Sequence, residues 1–198
     1  LLSTNNVFGG NRHSLRPQMS ADGSVIVFHS FANDLVPDDQ NEHADVFLFR
    51  TINNQLIRAY NVPAREEGNG PSFYPKVNGD GTKVVFHSKA TNLAANGSQT
   101  SSQQIYLWDT NIGTFGEIRI VTFGNNESHF PSIDHSGTRV VFSSDASDLV
   151  TGDTNGFPDI FAHDLDSNQT WLLSLTELLE QTTGPSEHPV ISGDGRVV

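Results

Sequence analysis

The chain has 198 residues, of which 35% are hydrophobic and 17% are charged, enough for one globular domain with a buried core. Its 11 basic and 23 acidic residues give a net charge of −12, which disfavours nucleic acids as partners. The sequence contains no run of 18 apolar residues, so it does not predict membrane insertion. The lack of cysteine excludes disulfides and thiol catalysis. The chain starts at Leu1 rather than Met, so we expect a processed protein or part of a longer one, with any signal peptide removed.

An internal repeat organises the chain. Four prolines recur at intervals of 58, 56 and 58 residues: Pro17, Pro75, Pro131 and Pro189. Each has a serine three residues before it, an apolar residue two after it, and then Asp-Gly or Ser-Gly; the serines are Ser14, Ser72, Ser128 and Ser186. A catalytic residue need occur only once, whereas a structural one recurs with the repeat. We therefore expect these serines to be structural, hydrogen-bonded to a turn or to backbone.

Each unit predicts four short strands. The first strand surrounds the proline, and the second follows Asp-Gly. In the three complete units, the second strand contains residues 26–28, 84–86 and 140–142, and the third contains residues 45–48, 104–107 and 159–162. The fourth strand contains residues 56–60, 118–122 and 171–174. Proline favours an edge position for the first strand. The second and third strands are apolar at consecutive positions, which indicates that both faces of the sheet are covered.

A four-stranded antiparallel sheet that is covered on both faces and repeated along the chain is typical of a β-propeller blade. We predict an all-β fold, a partial β-propeller of about three and a half blades, as one domain over 1–198. The repeat units are 4–60, 61–122, 123–174 and an incomplete 175–198, with 1–3 as the end of a preceding blade. Propellers usually close with four to eight blades, so we expect the rest of the same propeller or other protein subunits to cover the open ends.

The repeated string, Ser-x-x-Pro-x-Ile-Ser-x-Asp-Gly-x-x-Val-Val-Phe-x-Ser, is followed in the third unit by Ala-Ser-Asp-Leu-Val-x-Gly-Asp-Thr-Asn-Gly-x-x-Asp-Ile-Phe. Together they resemble the WD40-like β-propeller repeat of TolB-type bacterial proteins. The resemblance implies an envelope or secreted propeller, most often a scaffold for protein contacts, and implies no catalytic residue. The second unit departs from the pattern, because residues 96–103 contain no acid.

Two acidic loops are candidate metal sites. Oxygen-bearing side chains recur at alternate positions in Asp153, Asn155 and Asp159, and again in Asp39, Asn41 and Asp45. Calcium takes six to eight oxygen ligands, which such spacing can supply. A fuller calcium loop would carry another acid two residues earlier, where this chain has Thr151 and Pro37. The alternative, which we prefer, is that these side chains cap a long hairpin through Asx-turns. We therefore expect no cofactor and leave calcium as the hypothesis to test.

Histidines and paired carboxylates are weaker candidates. His29 and His87 occupy the same repeat position, and a ring of histidines could bind a transition metal, but the third unit has Ser143 there. We prefer strand-end histidines that are hydrogen-bonded to a loop. The adjacent acids Asp38-Asp39 and Glu66-Glu67 fall in predicted loops, where we expect solvated charge rather than acid–base catalysis.

Two functions remain. The preferred one is a non-enzymatic scaffold that mediates protein–protein contacts in a bacterial envelope or extracellular assembly, located in the periplasm or outside the cell. The alternative is an extracellular propeller enzyme or glycan-binding module with its site at one rim of the channel. Such a site would use residues present in one unit only, for example Trp108, Trp171, Tyr74 or Arg65.

Overall fold

The regular structure is entirely β in the computed structural model, which describes residues 10–60, 66–95, 101–113 and 115–198. The strands are β1 (Ser14–Met19), β2 (Val25–Ser30), β3 (Asp45–Arg50), β4 (Gln55–Arg58), β5 (Ser72–Val77), β6 (Lys83–Ser88), β7 (Gln104–Asp109), β8 (Glu117–Ile120), β9 (Ser128–Ile133), β10 (Arg139–Ser144), β11 (Asp159–Asp164) and β12 (Gln169–Leu172). Within these ranges, no helix has the length and apolarity needed to cross a membrane.

The strands form three antiparallel four-stranded sheets, each built from four consecutive strands. The proline-bearing strands β1, β5 and β9 lie at sheet edges, which confirms their predicted position. Each of these strands contains a β-bulge at its proline, as between Leu15 and Gln18 in β1 and between Phe73 and Lys76 in β5. Strands β1 and β5 are in contact, as are β5 and β9, so the first strands of successive sheets lie side by side.

Aromatic pairs lie at the centre of each sheet, at equivalent positions of the predicted second and third strands. Across each central strand pair, two rings stack with centroids 5.5, 5.7 and 5.8 Å apart: Phe28–Phe47, Phe86–Tyr106 and Phe142–Phe161. All six side chains are buried. The equivalent positions predicted from the repeat are thus equivalent in the structure.

Apolar layers fill the spaces between sheets. Val27, Leu48 and Ile57 of the first sheet share a core with Phe86 and Tyr106 of the second. On the opposite face of the second sheet, a further core includes Val85, Leu107, Val140, Phe142 and Phe161. The second sheet is therefore covered on both faces, as the consecutive apolar residues predict. Three sheets packed in this way form a partial β-propeller.

The last segment of the chain docks on the third sheet in the register of the repeat. Between the first two sheets, the Ala21 amide donates to the Gly79 carbonyl at 2.8 Å. The Gly79 amide donates to His135, and the His135 amide to Gly193, each at 3.0 Å. Gly193 thus takes the place that Gly79 and His135 occupy in earlier units, although no strand is formed there. The division into units stays a prediction, and residues 1–3 lie outside the described ranges.

Candidate functional site

Arg58 occupies the first predicted metal loop. Its guanidinium Nη1 lies 2.9 Å from Asp39 Oδ1 and 3.5 Å from Asp45 Oδ2, and its Nη2 lies 3.5 Å from Glu67 Oε1. The Arg58 side chain is fully buried. A protein cation therefore already pairs with Asp39 and Asp45, two of the residues in the calcium hypothesis, and metal binding at this loop stays a prediction.

The surroundings of Arg58 perturb the acids. Burial raises the pKa of Asp45 to about 7, with Arg58 opposing the shift and the charge of Asp39 adding to it. Burial likewise raises the pKa of Asp39, again against the effect of Arg58. Asp39 was expected to be a solvated loop charge, and this is wrong, because its ion pair with Arg58 draws it into the interior.

Asn41 and Asp45 complete the first loop by hydrogen bonds. The Asn41 side-chain amide donates to Asp45 Oδ2 at 3.2 Å and to the Gly68 carbonyl at 3.0 Å. Its Oδ1 accepts from the His43 amide at 2.8 Å, which is an Asx-turn. The contacts agree with the hairpin-capping interpretation.

The third-unit loop is held together without an arginine. Asp159 is fully buried and accepts hydrogen bonds from Asn155 Nδ2 at 2.8 Å and from Ser174 Oγ at 2.5 Å. Asn155 Oδ1 accepts from the Phe157 amide at 2.9 Å, and Asp153 Oδ1 accepts from Gln181 Nε2 at 3.0 Å. Because protein donors already engage these oxygens, hairpin capping accounts for the loop, and calcium binding stays a prediction.

A second cluster lies at the residue that precedes each repeat proline, on β1, β5 and β9 and in the last segment of the chain. These residues have φ of 56°, 53°, 49° and 58°: Arg16, Tyr74, Phe130 and His188. The Arg16 guanidinium carbon lies 4.9 Å from the Tyr74 ring centroid. The Tyr74 and Phe130 centroids are 5.0 Å apart, and those of Phe130 and His188 are 3.8 Å apart. We call these four side chains the ladder.

Two buried histidines lie behind the ladder. His87 Nδ1 is 3.2 Å from Gln103 Nε2 and 3.4 Å from the Phe130 amide, while the Gln103 amide also reaches His129 Nδ1 at 2.6 Å. Burial lowers the pKa of His87 to about 3 and that of His29 to about 4, with the charge of Arg16 adding to the shift at His29. Both rings are therefore neutral near pH 7. The expected hydrogen bond to a loop is present for His87.

Metal ligation by these histidines finds no support. Over the described ranges, no group of three or more histidine, aspartate or glutamate side chains is arranged to hold a metal ion. Nδ1 of His87 and Nδ1 of His129 instead both lie within hydrogen-bond distance of Gln103 Nε2.

The other single-unit residues are dispersed. Trp108 is a core residue whose Nε1 donates to the Phe115 carbonyl at 2.8 Å, whereas Trp171 on β12 is 41% exposed. Tyr74 belongs to the ladder, and Arg65 lies outside the described residues. Three of the four repeated serines have the expected structural role, because their hydroxyls pair with a second serine at 2.9 Å, in Ser14–Ser30, Ser72–Ser88 and Ser128–Ser144.

No protein-family model matches the chain, and no curated protein matches it in sequence. Solved structures do match. TolB from Acinetobacter baumannii is 18% identical with a TM-score of 0.53, over 88% of this chain and 35% of that one. A putative TolB from Agrobacterium tumefaciens is 18% identical with a TM-score of 0.54, over 91% of this chain and 56% of that one.

The fold is that of a β-propeller, which these TolB structures share. The resemblance seen in the repeat is thereby confirmed at the level of the fold. A structure from a study of two prolyl endopeptidases is 12% identical with a TM-score of 0.55, over 93% of this chain and 25% of that one. The chain thus spans about a third of the first TolB structure and a little more than half of the second. At these identities the likeness concerns the fold alone.

Proposed function

We propose that this chain is a non-enzymatic β-propeller scaffold that mediates protein–protein contacts in a bacterial envelope or extracellular assembly, in the periplasm or outside the cell. The observation that carries the proposal is the apolar face of the third sheet. Its residues correspond by strand register to residues of the first sheet that a neighbouring sheet covers.

The comparison of equivalent residues supports a contact surface on this face. In the first sheet, Ile57 on β4 is 4% exposed and Ala59, which follows it by two, is 2% exposed, because the second sheet packs on them. Their equivalents on the third sheet are Trp171 at 41% and Leu173 at 38%. Burial of apolar surface of this kind against a partner contributes about 25 cal/mol of stabilising free energy per Å².

The shape of the face indicates the kind of partner. A cavity of about 280 Å³ opens between the third sheet and the last segment, and its apolar lining includes Val141, Ala162, Trp171, Leu173 and Ile191. Ile191 covers part of the face, in the position that Ile133 and Val77 take in the earlier units. The partner that fits is a protein sheet with an apolar face, placed as the next blade. It comes either from the rest of the same propeller or from another protein subunit.

Sedimentation velocity tests the proposal. Residues 1–198 taken alone should associate with increasing concentration, because Trp171 and Leu173 leave apolar area exposed on the third-sheet face. Trp171→Asp should weaken this association, whereas Ile52→Asp, at a side chain 90% exposed in the β3–β4 turn, should not. A compact monomer at all concentrations would overturn the proposal, as would equal association of the two variants.

The alternative, an extracellular enzyme or glycan-binding module with its site at one rim of the channel, is favoured by a different observation. The ladder presents a different side chain from each unit at one repeated backbone position. Residues that differ between otherwise similar units are the ones expected at a site.

A further inference from the structure

The ladder residues hold an unfavourable backbone conformation. A positive φ is uncommon for any residue other than glycine and is a genuine outlier for bulky side chains such as Tyr74 and Phe130. β-Bulges of this kind redirect side chains and occur next to functional sites. In this chain each bulge directs one side chain towards its counterpart in the next unit. The successive contacts run from Arg16 to Tyr74, then to Phe130, and then to His188.

The repeat preserves this backbone position and varies its side chain. The serine two residues before each ladder residue and the proline after it are the same in all four units. The ladder residue itself is Arg16, Tyr74, Phe130 or His188. A residue needed only for folding recurs with the repeat, so four different side chains at one strained position indicate a role in recognition.

One end of the ladder is positively charged in a protein of net charge −12. Among the described residues, neither Arg16 nor Lys76 has an ion-pair partner within 4.0 Å. Lys76 follows Tyr74, the residue that Arg16 contacts, by two positions on β5. In agreement with this placement, burial and the charge of Arg16 lower the pKa of Lys76. At the other end of the ladder an acid is present, because Glu187 Oε2 lies 3.8 Å from His188 Nδ1.

His29 adds an unsatisfied polar atom at the charged end. Its side chain is 3% exposed, and its Nδ1 has no hydrogen-bond partner in the described part of the chain. Its ring stacks near Tyr74, with centroids 6.0 Å apart. The equivalent His87 Nδ1 is bonded to Gln103, and the first unit has Ala44 at the position of Gln103. A buried polar atom without a partner is unusual and calls for an explanation such as a missing ligand or water.

We propose that Arg16, Lys76 and His29 form the anion-binding end of a small-molecule site, and that Tyr74, Phe130 and His188 form its aromatic wall. The ligand is a small carboxylate carried on a flat ring, either an acidic sugar or an aromatic acid. Arginine binds carboxylates by charge-assisted hydrogen bonds, and its contact with Tyr74 holds the guanidinium in place beforehand. This site goes beyond the scaffold function and does not involve the third-sheet face.

Isothermal titration calorimetry with three probes tests the site. Glucuronate and benzoate supply the carboxylate on a sugar and on an aromatic ring, and glucose is the neutral counterpart of glucuronate. We expect at least one carboxylate to bind and glucose not to bind, and the better of the two acids identifies the ring. No binding of either acid, or binding of glucose with equal affinity, would overturn the proposal.

Matched variants assign the binding to these residues. Arg16→Gln and Lys76→Gln should each weaken carboxylate binding by about tenfold or more, since hydrogen bonds to charged groups contribute about 1.5–3 kcal/mol. Arg196→Gln, at an exposed arginine outside the ladder, should bind as the unchanged protein does. Thermal unfolding verifies that each variant is folded. Unchanged affinity in both Arg16→Gln and Lys76→Gln would exclude the site, whatever the behaviour of the third-sheet face.

Discussion

Arg58 and Asp45 form a buried ion pair, with 3.5 Å between Nη1 and Oδ2, and the position of Arg58 is uncharged in the other two sheets. Arg58 lies opposite Phe47 across β3 and β4, and the corresponding residues are Ile120 in the second sheet and Leu172 in the third. A buried ion pair is weak evidence for stability in itself. The loss of one partner is costly, however, because it leaves the other charge buried and uncompensated.

Arg58→Leu should therefore destabilise the protein by about 3–5 kcal/mol at pH 7, although leucine is the residue that the third sheet carries at this position. Urea-induced unfolding measures the change. Arg196→Leu is the control, because that side chain is 83% exposed, and it should change stability by less than about 0.5 kcal/mol. Equal stability of the two variants would show that the acids around Arg58 do not need its charge.

The buried histidines predict a loss of stability in acid. The folded-state pKa of His87 is lowered from 6.5 to about 3, so the unfolded chain binds the proton more readily. The stabilising contribution of the neutral ring is thus complete above pH 6.5 and is lost as the pH falls towards 3. The loss is about 1.4 kcal/mol for each pH unit below 6.5.

His87→Ser places at this position the residue that the third unit has as Ser143. Between pH 7.5 and 4.5, the unchanged protein should lose more stability than this variant in urea-unfolding curves. Asp45 acts in the opposite direction, because its raised pKa gives a contribution that is lost as the pH rises through about 7. Since Asp45 is present in both proteins, their difference reports on His87, and parallel pH profiles would contradict the prediction.

The stacked aromatic pairs predict that the loss of one ring destabilises the protein. Phe142→Ala should destabilise the protein by about 3–5 kcal/mol, because the ring is fully buried and stacks on Phe161. Ile52→Ala removes apolar atoms from a side chain that is 90% exposed and should have little effect. Thermal unfolding of both variants measures the difference. A Phe142→Ala protein as stable as the unchanged one would be incompatible with the blade core.

The features that recur in every unit could be predicted from the sequence, and the ones that differ between units could not. Strand positions, the edge placement of β1 and the Phe28–Phe47 pair follow from shared residues, which the repeat makes visible. Arg58 was missed because a search for shared residues passes over the one unit that departs from the others. An arginine in the register of Ile120 and Leu172 was the available signal.

The ladder was missed for a related reason. The prolines were recognised by their spacing, but the residue before each of them has no common type. Nothing in the residue types of Arg16 and Phe130 indicates that both have a positive φ or that their side chains belong to one row. That relationship arises from the bulge and from the contact between successive first strands, which are properties of the assembled sheets.

For the acidic loop of the third unit, calcium binding and hairpin capping predict different responses of the protein's stability to added calcium. Asp159 accepts from Asn155 and Ser174, so Asp159→Ala should remove a buried acceptor from both side chains and destabilise the protein by about 1–3 kcal/mol under either interpretation. The response to calcium distinguishes them. A bound ion at a hundredfold excess over its Kd would add about 2.7 kcal/mol to the stability of the folded protein.

We expect millimolar calcium and a chelator to give the same melting temperature in the unchanged protein, because protein donors already engage the oxygens of Asp153 and Asp159. Ser174→Ala is the matched variant. It removes one donor to Asp159 and leaves every carboxylate in place, so it should lower the melting temperature equally in calcium and in chelator. A rise of several degrees with calcium that is absent in Asp159→Ala would instead establish a metal site, with the carboxylate released from its hydrogen bonds to bind the ion.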